Sequence, residues 1–584
     1  MYFSDAYDLL QVALGFSSVA AASCSECRSI PGDAAWPCSA DWAGLNSTID
    51  GRLVATIPIG AVCHNTFASE VLGSVTTYDA AKCDELRNNW HFPETHLTSP
   101  GSSPMQYSFT NNSCNPFDPD PNAPCTIGGH PVYAINATEP SHLQAGVAFA
   151  KKHNIRPVIR NTGHDYLGKS TGPHSLALWT QKLKSTELIP SFPGASYTGP
   201  AIKLGAGVPS IDAYRFASSH GLVVLGGNCP TVGIAGGYTQ GGGIGPLSSL
   251  YGLASDQVLE WTVITANGDL ITANSTNHPD LFWALRGGGG GTFGIVTSMT
   301  VKAFPDKHTS SAFINVANSG TNTEEIYTGF QSFISTQLPA LVDEGVYVLW
   351  VLTPLGFIIQ ARFAFGKTQS ELDALLAPTV QTLTTLNLNP EYVSLEFPDF
   401  LTAYETTPGG QWNVSDYSMG GRLVPRSVVT DPAKAGELVS AIRHVASQTL
   451  ITGVSFNVGR SVSSPDEVAA NPHIRDSLFN IVLGVPTNYT DWQANLAGMN
   501  AITRDFQAGL EAAAPGGGAY LNEADVQQPD WESEFYGEHW ERLSGVKREY
   551  DLTGVFYART AVGSEQWVER EDGRLCRLVE SKRG

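Results

Sequence analysis

Basic residues are scarce in this chain: 34 Lys and Arg stand against 55 Asp and Glu over 584 residues, a net charge of −21. A surface that acidic repels phosphate backbones and anionic lipids, which argues against nucleic-acid or membrane-surface binding. Beyond the N-terminus no stretch approaches the roughly 18 apolar residues that a membrane helix needs. There is no internal repeat and no coiled-coil pattern. A second Cys-x-x-Cys is also lacking. Only Cys24-Ser25-Glu26-Cys27 has that form, so a zinc site is disfavoured and no metal is expected.

What is present describes a folded, loop-rich protein. The length exceeds what one hydrophobic core supports and predicts two or three domains, for which a hydrophobic content of 42% is ample. With 59 glycines, 35 prolines and only 15% charged residues, alternating Val, Ile and Thr runs favour a mixed architecture with long ordered loops. Seven of the nine cysteines precede residue 130, as in a disulfide-stapled segment of an oxidising compartment. Cys114 and Cys125 flank a Pro/Asp-rich loop and are expected to bridge. Sequons at Asn46, Asn111, Asn136, Asn274, Asn413 and Asn488 agree with secretion and should mark surface loops. Residues 1–23 read as a signal segment, apolar from Leu9 to Ala22, although Asp5 and Asp8 stand where positive charge is usual.

The chain divides into a cysteine-rich segment over 24–125, a unit over 126–305, an α+β unit over 306–510 and a C-terminal segment over 511–584. The second unit opens with a strand at Val132 to Ala134. A capping box at Ser141-His142-Leu143-Gln144 then starts a helix to about His153, and a strand follows from Arg156 to Arg160. Asn267-Gly268, between Val258 to Ala266 and Asp269 to Ala273, signals a hairpin with a type I′ turn. In the third unit, strands at Val346 to Leu352 and Phe357 to Phe363 alternate with helices at Ser370 to Leu376 and Pro432 to Val445.

Two loops carry the chemistry. His164 sits in the polar turn Arg160-Asn161-Thr162-Gly163-His164-Asp165-Tyr166, and Cys229 in the glycine-rich turn Gly226-Gly227-Asn228-Cys229-Pro230-Thr231-Val232-Gly233. Together they offer one ligand two soft nucleophiles, a pairing that suits a covalently held flavin. Gly241-Gly242-Gly243 and Gly287 to Gly291 can bring backbone N–H groups close to a pyrophosphate. Gly289, Gly291 and Gly294 satisfy G-x-G-x-x-G, yet the following Ile295 to Val301 reads as a strand. A nicotinamide-type Rossmann site, which needs a helix there, is therefore disfavoured. Tyr520 and Asn522, two apart in a segment able to extend, should share a face.

These stretches, with Gly236-Gly237-Tyr238-Thr239-Gln240-Gly241-Gly242-Gly243, Asp280 to Gly289 and the tail Tyr520-Leu521-Asn522-Glu523-Ala524-Asp525, resemble the vanillyl-alcohol-oxidase flavoproteins. Within them the chain is similar to the secreted berberine-bridge-enzyme-like oxidases of fungi. The resemblance implies a two-subdomain FAD-binding domain and an α+β substrate domain with an antiparallel sheet, the tail returning to the FAD unit. His164 would bond the 8α methyl of FAD and Cys229 carbon 6. Arg160, Asn161, Thr162, Gly163, Asp165, Gly233, Gly236, Gly237, Gly241, Gly242, Gly243, Gly294, Ile295, Val296, Tyr520 and Asn522 would contact it. Tyr520 would take a proton from the substrate hydroxyl, helped by Arg422 or Glu523, since a phenol ionises only near pH 10 unaided. Val232 occupies the position of an oxygen gatekeeper, where valine accompanies oxidases. The expected protein is a secreted monomeric oxidase passing hydride from an alcohol, carbohydrate or phenolic to flavin, and electrons to dioxygen to give H2O2. A flavin dehydrogenase with another acceptor and a catalytically silent glycoprotein are the alternatives. Two departures stand out: Ile244 follows the triple glycine where relatives carry histidine, and Trp36-Pro37-Cys38 is a displaced Cys-Trp-Pro.

Overall fold

The computed structural model describes residues 24–103, 109–110, 112–194, 197–407, 414–459 and 462–578. The signal segment and the sequons at Asn111 and Asn413 lie outside them. The fold is α+β, and three sheets position the cavity described below.

In the first sheet, Tyr133–Asn136, the helix Pro140–Lys152 and Pro157–Arg160 come in the expected order. The two strands do not pair, however. Leu176–Trp179 runs between them, parallel to both, and Leu53–Ala55 joins antiparallel at the edge. The helix starts at Pro140, before the predicted capping box, and Ser141 Oγ donates to Glu139 Oε1 at 2.5 Å. A fixed φ and a missing N–H suit proline to that first position. Gly146 lets this helix lie on the sheet, because a Cβ there would come within 2.6 Å of Ile135 and Leu178.

The second sheet has the order Leu270–Asn274, Val258–Ile264, Ile295–Lys302, Ala201–Gly205, Thr186–Ile189, all antiparallel. Its hairpin is present but not type I′. Positive φ falls on Gly268 alone, and Gly268 N–H donates to Thr265 O, the pattern of a type I turn closed by a left-handed glycine. Ile295–Lys302 is a strand, as the Rossmann argument requires.

The third sheet is antiparallel and seven-stranded: Glu391–Phe397, Thr309–Ala317, Gly356–Phe365, Tyr347–Thr353, Leu450–Ser455, Ser477–Pro486, Tyr417–Pro425. Helices Thr323–Ser332, Gln369–Thr385 and Pro432–Ala446 cover one face. Gln369–Thr385 is opened by a reciprocal Thr368–Glu371 capping box, and its Leu372, Leu376, Thr379 and Leu383 are buried at helical spacing. Strand alternation then separates the faces: Val348, Trp350 and Leu352 meet the helices, while Tyr347 and Leu349 turn the other way, towards the cavity.

Cys114–Cys125 forms as expected, and Cys63–Cys83 is a second bridge. Cys27 pairs across 549 residues with Cys576, stapling Cys24–Cys27 to Leu575–Leu578. The bridges are therefore not confined to the N-terminal segment, and the Cys-x-x-Cys is committed elsewhere. Cys38 is exposed and unbridged, its thiol donating to Asp41 Oδ2 at 3.0 Å. Of the sequons, Asn274 and Asn488 cap exposed turns, whereas Asn136 lies within a strand and Asn46 on a helix.

Candidate functional site

Residues 161–170, which follow the strand Pro157–Arg160, and residues 227–237 meet at a cavity of about 300 Å³. Glycine allows the approach: a Cβ on Gly233 or Gly236 would fall 2.7 or 2.9 Å from the Asn161 amide. Gly233 N–H donates to Thr162 Oγ1 at 3.1 Å and ties the loops together. His164 and Cys229 arrive on one hydroxyl, with Thr231 Oγ1 2.7 Å from His164 Nε2 and 3.6 Å from Cys229 Sγ. Burial, with His96 nearby, pushes the His164 imidazole down to about 4, and burial pushes the Cys229 thiol up. His164 is thus neutral near pH 7. Its Nδ1 has no partner among the described residues.

Tyr520 enters from the C-terminal segment. It lies in a tight turn, not an extended stretch, with Glu523 N–H donating to Tyr520 O at 2.8 Å. The turn nonetheless joins the expected pair, since Asn522 Nδ2 donates to Tyr520 Oη at 2.8 Å. Gly243 and Ile244 N–H groups add donors at 3.1 and 3.4 Å. Burial and then Glu523 raise the Tyr520 phenol, while these donors oppose them. Glu523 itself is raised by burial to about 7 and accepts from Asn480 Nδ2 at 2.9 Å.

Asn161, Thr162, Gly163, Asp165, Gly233, Gly236, Gly237, Gly294 and Val296 line the same cavity, and so does Val232. Six expected residues do not. The Arg160 guanidinium packs behind Gly163 and donates to Ser99 O at 3.2 Å. Gly241, Gly242 and Gly243 bear on the Asn522 and Tyr520 side chains instead of opening to the cavity. Ile295 pairs with Ile264 inside the core. Arg422 is held by Glu534 at 2.5 Å and by Ala514 O at 3.1 Å, so of the two helpers only Glu523 lines the cavity.

Sequence reasoning missed Thr231, Tyr166, Lys169, Tyr238 and Tyr347, all but Thr231 lining residues. Only Tyr347 carried a signal, its alternate place on a recognisable strand. The roof is the uncovered face of the seven-stranded sheet: Leu349, Met419, Leu450, Val454 and Val482, with Tyr417 and Thr452. Register brings Leu349 beside Val454 and Thr452 beside Val482.

The cavity has what a dinucleotide such as FAD requires. Asn161 Oδ1, Lys169 Nζ and Gln240 Oε1 are buried without a protein partner, and Gly290 packs on Gly237 so closely that a Cβ would sit 2.9 Å from its Cα. Buried polar atoms of this kind are ordinarily completed by a ligand or an ordered water, and here three of them gather in the cavity region.

Comparison with known proteins agrees. Residues 131–274 match the family described as FAD binding domain, and residues 519–563 that described as berberine and berberine like. The chain is 42% identical to FAD-linked oxidoreductase sor8 of Hypocrea jecorina over 98% of each chain. It is 39% identical to the bifunctional decalin synthase calF of Penicillium decumbens, again over 98% of each. The crystal structure of the VAO-type flavoprotein MtVAO615 from Myceliophthora thermophila C1 superimposes with a TM-score of 0.89 at 38% identity, over 94% of this chain and 100% of that one.

Proposed function

Since the chain belongs to the VAO-type FAD-linked oxidoreductases with a berberine-like C-terminal segment, we propose that it is a secreted oxidase whose FAD is held covalently by His164 and Cys229. The FAD unit comprises residues 126–305 and the returning tail, and residues 306–510 form the substrate wall. Bound FAD supplies the hydride acceptor and, reoxidised by dioxygen, yields H2O2.

The observation that carries this reading is the convergence of His164 Nε2 and Cys229 Sγ on Thr231 Oγ1. A neutral imidazole engaged at Nε2 leaves Nδ1 free to hold the link. As a phenolate, stabilised by the N–H groups of Gly243, Ile244 and Asn522, Tyr520 accepts the substrate hydroxyl proton and becomes the neutral phenol. Val232 lines the cavity where dioxygen must reach. The roof narrows the substrate: Leu349, Met419, Leu450, Val454 and Val482 offer few hydrogen-bond partners, and a sugar buried there would lose its water without replacement. A phenolic or a hydroxylated, mainly apolar secondary metabolite fits that wall better than an oligosaccharide. One relative is named a bifunctional decalin synthase, and a decalin is an apolar ring system. The three disulfides support an oxidising compartment.

Acid precipitation tests the attachment. The pellet stays yellow in the wild type and in each of His164→Ala and Cys229→Ala, and is colourless only in the double variant. A colourless wild-type pellet overturns the covalent reading. Peroxide release across apolar alcohols, phenolics and oligosaccharides tests the chemistry and the substrate class.

A further inference from the structure

Lys169 is the only lysine or arginine among the described residues that line the cavity. Its Nζ is closed to solvent and has no hydrogen-bond partner among the described residues. The carboxylate nearest in sequence acts on it through its charge alone, without a hydrogen bond: Asp165 accepts the N–H groups of Leu167 at 3.0 Å and Ser170 at 2.6 Å, folding its own loop. The ammonium lies against the glycine-rich loop, since a Cβ on Gly289 would be 3.8 Å from Lys169 Nζ and 3.8 Å from Thr292 Oγ1.

The fold does satisfy a second buried ammonium, which reaches the Thr292 carbonyl. Lys547 Nζ donates to Asp551 Oδ2 at 2.8 Å, to Thr292 O at 2.6 Å and to Phe556 O at 2.8 Å. Two buried lysines are thus treated oppositely: Lys547 has a full set of acceptors, and Lys169 has no hydrogen-bond acceptor among the described residues. An unpaired cation in such a place is strongly disfavoured unless an anion completes it. Burial holds Lys169 down at about 8, the direction that an incoming anion would reverse.

We propose that Lys169 is the anion subsite of this cavity and that the pyrophosphate of FAD is the anion it pairs with. The mainly apolar roof offers a charged substrate no counter-charge, whereas Gly290 and Gly291, next to Gly289, line the cavity and give a phosphate backbone to approach. The inference rests on the cavity being the FAD site but not on the covalent links, so it is tested without them.

In a His164→Ala, Cys229→Ala background, purified free of flavin, the Kd of FAD and of riboflavin is measured by fluorescence quenching with and without Lys169→Met. Riboflavin carries the ring but no phosphate. Lys169→Met should weaken FAD by about tenfold or more, the scale of a charge-assisted hydrogen bond, and leave riboflavin unchanged. It should also raise the melting temperature of the flavin-free protein, by removing an unpaired charge, while shrinking the rise that FAD brings. Lys169→Arg should restore FAD affinity. Equal losses for FAD and riboflavin, or no loss for either, overturn the proposal. So does unchanged FAD affinity with a lowered flavin reduction potential, which would put the charge at the ring. Flavin content of the wild-type protein reports separately on the site itself.

Discussion

On the floor of the cavity the chain runs through the loops 161–170 and 227–237 and the glycines Gly290, Gly291 and Gly294, where small residues and backbone leave polar atoms without protein partners. On the roof, regular antiparallel strands present Leu349, Val454 and Val482, whose backbone groups are satisfied within the sheet. The floor is thus incomplete as protein and fits a charged, polar cofactor that completes it. The roof leaves the Thr452 hydroxyl without a partner among the described residues, but its backbone is paired, and its cavity face is free to vary in shape without loss of the fold. On the proposed function, one wall specifies the cofactor and the other the substrate class.

Tyr520, where the C-terminal segment meets both walls, gives the largest expected effect. Tyr520→Phe should slow anaerobic flavin reduction by about 10²–10⁴-fold, the usual weight of a general base, with the pellet after acid precipitation still yellow. An unchanged rate would remove Tyr520 from the chemistry. The two faces of the roof sheet separate next. Trp350, fully buried against Phe330 and Phe479 on the helix side, should cost about 3–5 kcal/mol on replacement by alanine. Val454, one strand away and facing the cavity, should cost only about 1 kcal/mol as Val454→Ala, while raising the KM for an apolar substrate. Urea unfolding and steady-state kinetics on both variants check this. Equal stability losses would mean that the cavity face is core as well.

The two walls also differed in how legible they were. Floor residues stood out because nothing periodic explains them: His164 and Cys229 in glycine-rich turns are unusual locally, and the structure brings both to Thr231 Oγ1. Strands and helices of the third unit were legible from alternation and helical spacing, with ends extended by one to several residues, as at Gln369–Thr385. Sheet order was not legible, because the insertion of Leu176–Trp179 between two strands is decided by non-local packing. The surroundings of Gly241 to Gly243 were not legible for a related reason: a glycine cluster announces a close approach without saying to what, and here the neighbours include Tyr520 and Asn522. Lys169 had no sequence signal, since a lysine in a polar loop is ordinarily solvated. Cys27 and Cys576, 549 residues apart, cannot be paired by proximity along the chain.

Glu523 joins the walls, lining the cavity from the C-terminal segment while accepting from Asn480 of the sheet, and it carries the smallest of these effects as a pH dependence. Burial raises its folded value to about 7 from 4.5. Because the folded value exceeds the unfolded one, the folded state holds its proton more tightly. The stability so gained is complete below pH 4.5 and is lost as pH rises through 7, a change on the order of 3 kcal/mol at most. Asp525, raised by burial from 3.8 to about 6 and accepting from Thr503 Oγ1 at 2.6 Å, acts with the same sign in a lower window. Glu523→Gln keeps an acceptor for Asn480 but cannot ionise, so its unfolding midpoint should stay level between pH 6 and 8, where the wild type declines. Between about pH 4.5 and 6 the variant should keep only the slope set by Asp525, while the wild type falls more steeply by the share of Glu523. A wild-type midpoint that does not fall from pH 6 to 8 would mean that Glu523 ionises as freely in the folded protein as in the unfolded chain, and that the seam between floor and roof is wet.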